Sequence, residues 1–339
     1  MIANKLILLS NENVLGPSPL AIAAAQKAVG EMHLYSNEVE IVFLEALVAH
    51  HGHGLSTANF TSGNGSTDVL RMIAQSFVQP GMNSVIAAPT FGIYAALTAL
   101  YGGTPILVPL RDYTVDLPAL LAAVNEQTRL VFVCNPNNPT GTVVSHAALE
   151  DFLDQLPPQV TLVLDEAYRE FADDPQMPRA EEWVAAGRNL IVSRTLSKLY
   201  GLAGLRAGYG FARPDLIARI RRYHQRHNSG RPAWFGAAAA LQDHDFVAQT
   251  LQMVRQSRAF YYAELPPLGI GYLPTQANFI LLRDLPIAAA EIVRKAEAQG
   301  VVLNHTAWAG LPDNVRITFA RPHENARVVE TLRRVIRGE

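Results

Sequence analysis

Lys198 follows the hydroxyl-bearing step Thr195-Leu196-Ser197 and is bracketed by Leu196, Leu199 and Leu202. An amine in such partly dry surroundings loses preference for its ammonium form, which frees the lone pair for Schiff-base chemistry. Arg206 lies eight residues further on, beyond the glycines at 201 and 204. Hydroxyls on one side and a guanidinium on the other suit an oxyanion such as a phosphate. Read alone, the same segment also fits a lysine in a Gly-rich surface loop.

Residues 61–70, T-S-G-N-G-S-T-D-V-L, carry a second anion signal. Gly65, Ser66 and Thr67 open a helix whose apolar positions Val69, Leu70, Ile73 and Phe77 keep helical spacing until Pro80-Gly81 stops it. Free N–H groups at such a start favour anions, although any helix start offers them. Strand candidates near 84–88, 105–109, 129–134, 160–164, 189–193 and 208–212 alternate with helical or loop segments. Several are apolar on both faces, which predicts an α/β domain with a mostly parallel sheet covered by helices. Ligands in such sheets collect at the carboxyl ends of the strands. The polar clusters fall there: P-T-F-G-I-Y with Tyr94, C-N-P-N-N-P-T-G with Asn138, D-E-A-Y with Asp165 and Tyr168, and the Lys198 loop. Taken singly, Asp165 also fits a helix cap, Asn138 a turn and Tyr94 a core position.

Residues 1–20 read as an irregular arm dense in turn formers, followed by a helix at about 20–29 and an amphipathic helix bearing Val42, Leu44, Leu47 and Val48. Beyond about residue 230, an Ala-rich helical region and short strands at 278–283, 300–304 and 314–319 suggest a smaller α+β domain. The expected division is 1–33 for the arm and part of the small domain, 34–232 for the large domain and 233–339 for the small C-terminal one. With 339 residues, 49% of them hydrophobic, the chain can bury two cores. A net charge of −2 without a basic run makes nucleic acid and membrane surfaces poor partners. Cys134, the sole cysteine, sits in an apolar run and reads as a buried structural thiol. No segment has the length of a signal or membrane span, so a cytoplasmic protein is expected. His50, His51 and His53 stand among glycines that mark a helix end, and no metal is expected.

Together the clusters resemble the fold-type I pyridoxal-phosphate aminotransferases of class I/II, and within them the histidinol-phosphate aminotransferase-like group. The resemblance covers nearly the whole chain and rests on N-E-N-x-L-G-P-S-P, S-G-N-G-S-x-D, P-T-F-x-x-Y, C-N-P-N-N-P-T-G, D-E-A-Y-x-E-F, R-T-L-S-K-x-x-G-L-A-G-L-R-x-G-Y, A-N-F-I-L and R-I-T. It implies a large domain with a mostly parallel seven-stranded-type sheet covered by helices, in which Lys198 holds pyridoxal 5′-phosphate as a Schiff base and then moves a proton between substrate and cofactor. Asp165 would pair with the ring nitrogen, Tyr168 and Asn138 with the phenolic oxygen, and Tyr94 would stack on the ring. Gly65, Ser66, Thr67, Thr195 and Arg206 would hold the phosphate. Tyr35 resembles the tyrosine that reaches this phosphate from a neighbouring subunit, implying a homodimer. Arg316 resembles the arginine that takes the substrate's anionic group, with Asn138 and Asn13 beside it.

Two departures bear on substrate. The group carries an arginine just after a small-domain strand, whereas this chain reads G-V-V-L-N-H with Asn304 there, and R-H-N-S-G-R-P-A-W-F replaces the usual P-Y-N-V-N. A phosphate dianion would lose a charge-assisted contact worth about 2 kcal/mol. A single carboxylate on Arg316 is therefore expected in preference to histidinol phosphate, with Arg231, Trp234 and Trp308 lining the side-chain pocket. The expected reaction exchanges an amino group between an L-amino acid, or a histidinol-phosphate-like amine, and a 2-oxo acid such as 2-oxoglutarate. A decarboxylase, lyase or cyclase on the same frame, as in threonine-phosphate decarboxylases, is the alternative. A non-catalytic sensor module ranks last, since Lys198 and Asp165 are intact.

Overall fold

Strands apolar on both faces need cover on both, and four runs here meet that description. They are β3 (Asn83–Ala88), β5 (Thr128–Cys134), β6 (Thr161–Asp165) and β7 (Leu190–Thr195), whose Val, Leu and Ile side chains are buried throughout. The computed structural model describes residues 5–36 and 38–339. With β2 (Phe60–Asn64), β4 (Thr104–Pro109) and β8 (Ala207–Ala212) these strands form a seven-stranded sheet in the order β2-β8-β7-β6-β5-β3-β4. The β3, β4, β5, β6 and β7 neighbours pair in parallel, and β8 runs antiparallel to both β7 and β2.

This topology brings the chemistry to one edge. Cys134 pairs with Asp165, and Asp165 with Ser193, so β5 and β6 end level with one another and β7 runs on past them to Thr195. Because β8 is antiparallel, its first residue Ala207 lies opposite Asn64, the last of β2. Arg206, just before β8, is thereby set beside Gly65, just after β2. The helix Ser66–Phe77 starts there and buries Val69, Leu70, Ile73 and Phe77, as its spacing predicts.

A second, mixed sheet has the order β1-β11-β12-β10-β9, from β1 (Leu6–Leu8), β9 (Gly271–Tyr272), β10 (Phe279–Arg283), β11 (Val301–His305) and β12 (Val315–Thr318). Arg316 on β12 lies directly opposite Asn304 on β11. The arm is not wholly irregular, since Leu6–Leu8 adds to β11 in parallel. That strand is three residues long and takes its order from its neighbour, which local sequence does not encode. Strand β2 also escaped the apolar pattern, because F-T-S-G-N is polar and is held by backbone pairing to β8.

Candidate active site

A cavity of about 670 Å³ opens between the carboxyl edge of the large sheet, the small sheet and the arm. Ser66, Thr67, Tyr94, Asn138, Asp165, Tyr168, Thr195, Lys198, Arg206 and Arg316 all line it, as do Asn304 and Trp308. Residues far apart in the chain thus converge on a space of ordinary cofactor size.

Lys198 leaves β7 through Leu196 and is wedged among buried Leu196, Leu199 and Leu202. Its Nζ donates to the carbonyl of Ser10 at 2.7 Å. Burial and the nearby Arg316 and Arg206 cations bring the amine down to about 8, against the opposing pull of Glu12. Asp165, the last residue of β6, is buried and accepts from Tyr94 Oη at 2.7 Å and from the Ala167 N–H at 3.1 Å. Burial pushes its carboxyl up to about 6 despite both donors. A carboxylate so placed gains from a cationic partner in the cavity. Tyr168 accepts from Asn11 Nδ2 at 3.0 Å, and burial raises its phenol to about 12.

The anion-binding end is built from backbone. Gly208 lies so close to the helix start that a Cβ there would stand 2.2 Å from the Ser66 nitrogen, and a Cβ at Gly65 would meet Arg206 Nη2 at 2.3 Å. Gly65 itself takes a positive φ of 77° and caps the helix, although it does not line the cavity. Arg206 donates only to the carbonyls of Ala203 and Asn64 and makes no ion pair among the described residues. The Ser197 N–H donates to the Thr195 hydroxyl oxygen at 3.1 Å, and the Thr195 hydroxyl donates to Ser197 Oγ at 2.9 Å. An unpaired guanidinium, a helix start and two hydroxyls make a donor set suited to a phosphate monoester.

At the other end Arg316 is buried, donating to Asn138 Oδ1 and, at 2.6 Å, to the Leu9 carbonyl. Its Nε is buried without a partner, and burial lowers its basicity. Asn304 is occupied: its Nδ2 donates to the Leu9 carbonyl at 3.0 Å and its Oδ1 accepts from Trp308 Nε1 at 2.9 Å. Trp308 is half-exposed, with Arg316 6.0 Å from its ring centre.

Several expected residues sit elsewhere. Asn13 does not line the cavity; its amide ties the arm to the Leu199 carbonyl at 2.8 Å and to Thr250. Trp234 is a core residue stacked on Phe43, and Arg231 pairs with Glu31, so neither belongs to the pocket. The Tyr94 ring stacks on Phe132 at 4.9 Å, where core packing holds it while its hydroxyl serves Asp165. Tyr35 is 79% exposed and outside the cavity of its own chain. Sequence reading missed Ser10, Asn11 and Phe91 as lining residues. Ser10 and Asn11 owe their place to β1 adding to the small sheet, which local sequence does not mark, and Phe91 owes its place to the loop that follows β3. Cys134 is buried, and its thiol is pushed up to about 12. No group of His, Cys, Asp or Glu among the described residues is arranged to hold a metal.

A parallel-edge site with a desolvated lysine, a buried carboxylate and a phosphate cradle fits a pyridoxal-phosphate transferase. The aminotransferase class I and II family model matches residues 3–332, and the chain belongs to that family. It is a pyridoxal-phosphate-dependent aminotransferase. It is 40% identical over 330 residues to histidinol-phosphate aminotransferase of Moorella thermoacetica, covering 97% of this chain and 85% of that one. Histidinol-phosphate aminotransferase 2 of Pseudomonas fluorescens Pf0-1 is 39% identical, covering 97% and 88%. The histidinol-phosphate aminotransferase of Sinorhizobium meliloti, solved with pyridoxal 5′-phosphate, superposes with a TM-score of 0.91 at 29% identity, covering 98% and 91%.

Proposed function

We propose that the amino donor is a primary amine whose neighbouring anion docks on Arg316, and that an α-carboxylate fills this place. The observation that carries the reading is the Arg316–Asn304 pair. The two residues are opposite each other on β12 and β11, and only one is cationic. A fork-shaped guanidinium matches one carboxylate, whereas a dianion would ask for a second cation where the Asn304 amide is already bonded to Trp308.

In this reading Lys198 would hold the cofactor through a Schiff base, Asp165 would serve its ring nitrogen, and Tyr168 and Asn138 its phenolic oxygen. Ser66, Thr67, Thr195 and Arg206 take the phosphate. Bound there, the cofactor supplies an electron sink for the pair left when a Cα–H bond breaks. The protein does the rest. Arg316 orients that bond. Lys198, freed as an amine, would take the proton from Cα and deliver it to the cofactor's C4′ carbon. The Tyr94 hydroxyl keeps Asp165 aimed into the cavity. Tyr35 reaches the phosphate of a second copy, so the working unit is a homodimer. Support comes from exposed apolar surface: of twelve large exposed apolar side chains among the described residues, seven lie between 20 and 41. A cytoplasmic setting completes the reading. Among the described residues no helix is long and apolar enough to cross a membrane.

Histidinol phosphate as donor is the second reading, favoured by the names and full-length likeness of the relatives. The test is an absorbance assay of cofactor-loaded protein, challenged in turn with L-amino acids and histidinol phosphate. Bleaching by an amino acid, reversed by 2-oxoglutarate, is expected. Bleaching by histidinol phosphate alone overturns the carboxylate reading. Lys198→Ala should abolish turnover with any donor.

A further inference from the structure

Behind the site, on the opposite face of the large sheet, lies a buried charge cluster that the reaction does not touch. Strand alternation creates it. Asp165 and Thr195 face the cavity, so their neighbours Glu166 and Arg194 face the other way. Arg194 Nε and Nη2 both donate to Glu166 Oε2, at 2.9 and 2.6 Å, and its Nη1 meets Glu181 Oε1 at 2.8 Å. Glu181 holds His51 Nδ1 at 3.0 Å, and His51 Nε2 lies 2.9 Å from the Tyr209 hydroxyl on β8. Arg194 and Glu166 are both buried. Arg169, Glu170 and Tyr209 complete the charged and titratable groups around the pair.

A buried ion pair adds little net stability over an apolar filling of the same volume. This one also leaves Glu166 Oε1 and Arg169 Nε buried without partners. What the fork does add is a fixed distance between two strand ends. Glu166 is joined to Asp165 and donates its N–H to the Ser193 carbonyl at 2.8 Å, and Arg194, four residues before Lys198, is joined to Thr195. We propose that Arg194 is a positioning residue: its bidentate grip on Glu166 locks the ends of β6 and β7, and so sets the spacing between Asp165 and the Lys198 loop. The inference rests on Asp165 and Lys198 as the cofactor's anchors.

The test compares Arg194→Met with His51→Asn, which removes an outer member of the same cluster. Three properties are read: melting temperature, cofactor affinity from titrating pyridoxal phosphate into the apoprotein, and the pH midpoint of the bound cofactor's absorbance. A ring nitrogen no longer faced by Asp165 loses its positive charge, and the lysine-linked nitrogen becomes more basic. Arg194→Met should therefore raise the midpoint by about one unit and weaken cofactor affinity about tenfold. His51→Asn should lower the melting temperature and leave the midpoint in place. An unmoved midpoint in Arg194→Met, or an equal movement in His51→Asn, overturns the proposal. Should Arg194→Met fail to fold, Arg194→Lys keeps the charge without the fork; the same rise is expected, and an unmoved midpoint is fatal. A wild-type protein without cofactor absorbance would sink the reading of the site instead, so the two failures are distinguishable.

Discussion

Lys198 is the residue where opposing forces are most evenly matched. Desolvation and two arginines press its proton off, and Glu12 and the Ser10 carbonyl hold it on. The balance places the amine at about 8 in the folded chain, against 10.5 when unfolded. Between those values the unfolded chain binds more protons than the folded one, so this group makes stability rise with pH there. Below pH 8 the penalty is fully present. In cofactor-free protein, Lys198→Met should consequently melt higher than wild type at pH 7, with the gap closing as pH climbs from 8 towards 10.5. A gap that is absent at pH 7, or constant across the range, contradicts this. Arg316 invites a different test. Arg316→Lys keeps the charge and loses the fork, so KM for the donor should rise about 30-fold, the equivalent of about 2 kcal/mol. The absorbance of bound cofactor should not change. Loss of that absorbance would instead assign Arg316 to cofactor binding.

At the scale of elements, the proposed phosphate cradle depends on a backbone contact between β8 and the helix after β2. Gly208→Ala puts a carbon 2.2 Å from the Ser66 nitrogen, an atom that cannot swing aside. The helix start must retreat, and a stability loss of about 2 kcal/mol is expected, together with weaker cofactor binding. Gly204→Ala meets open space and should change neither. Melting curves and cofactor titrations on the two variants check this. The same contrast explains what was legible in the chain. Strands β3, β5, β6 and β7 announced themselves because burial on both faces demands continuous apolar runs. Lys198, Asp165 and Tyr168, which line the cavity, were singled out by polar clusters following apolar strands, whereas Arg316, which also lines it, was singled out only by the family resemblance. Strand β2 was hidden because backbone pairing holds it, and β1 because its partner lies nearly three hundred residues away. Side-chain aim was hidden too: P-T-F-G-I-Y places Tyr94 at the edge, but only packing on Phe132 turns its ring into the core. Trp234 and Arg231 were misjudged for the same reason, since residue type near a site does not say which way a helix presents it.

At the scale of the whole molecule, Tyr35 is the residue on which the proposed dimer is tested. It lies far out of its own cavity, in contact with His227 at 4.4 Å between ring centres, on a surface that also exposes Leu34 and Met32. The proposed dimer turns that surface inward, and a closed two-fold contact would carry each Tyr35 to the other chain's phosphate. Mixed dimers of Lys198→Ala and Tyr35→Ala chains separate this from a role within the chain. With Tyr35 acting across the interface, the hybrid has one site lacking both groups and one that is fully wild type. Activity should then return to about half that of the wild-type dimer, although the Lys198→Ala homodimer is dead and the Tyr35→Ala homodimer is impaired. With Tyr35 serving its own chain, the hybrid's only lysine lies in a site without the tyrosine, and no recovery follows. Sedimentation establishes that hybrids have formed, and a chain that stays monomeric at assay concentration removes the shared site altogether.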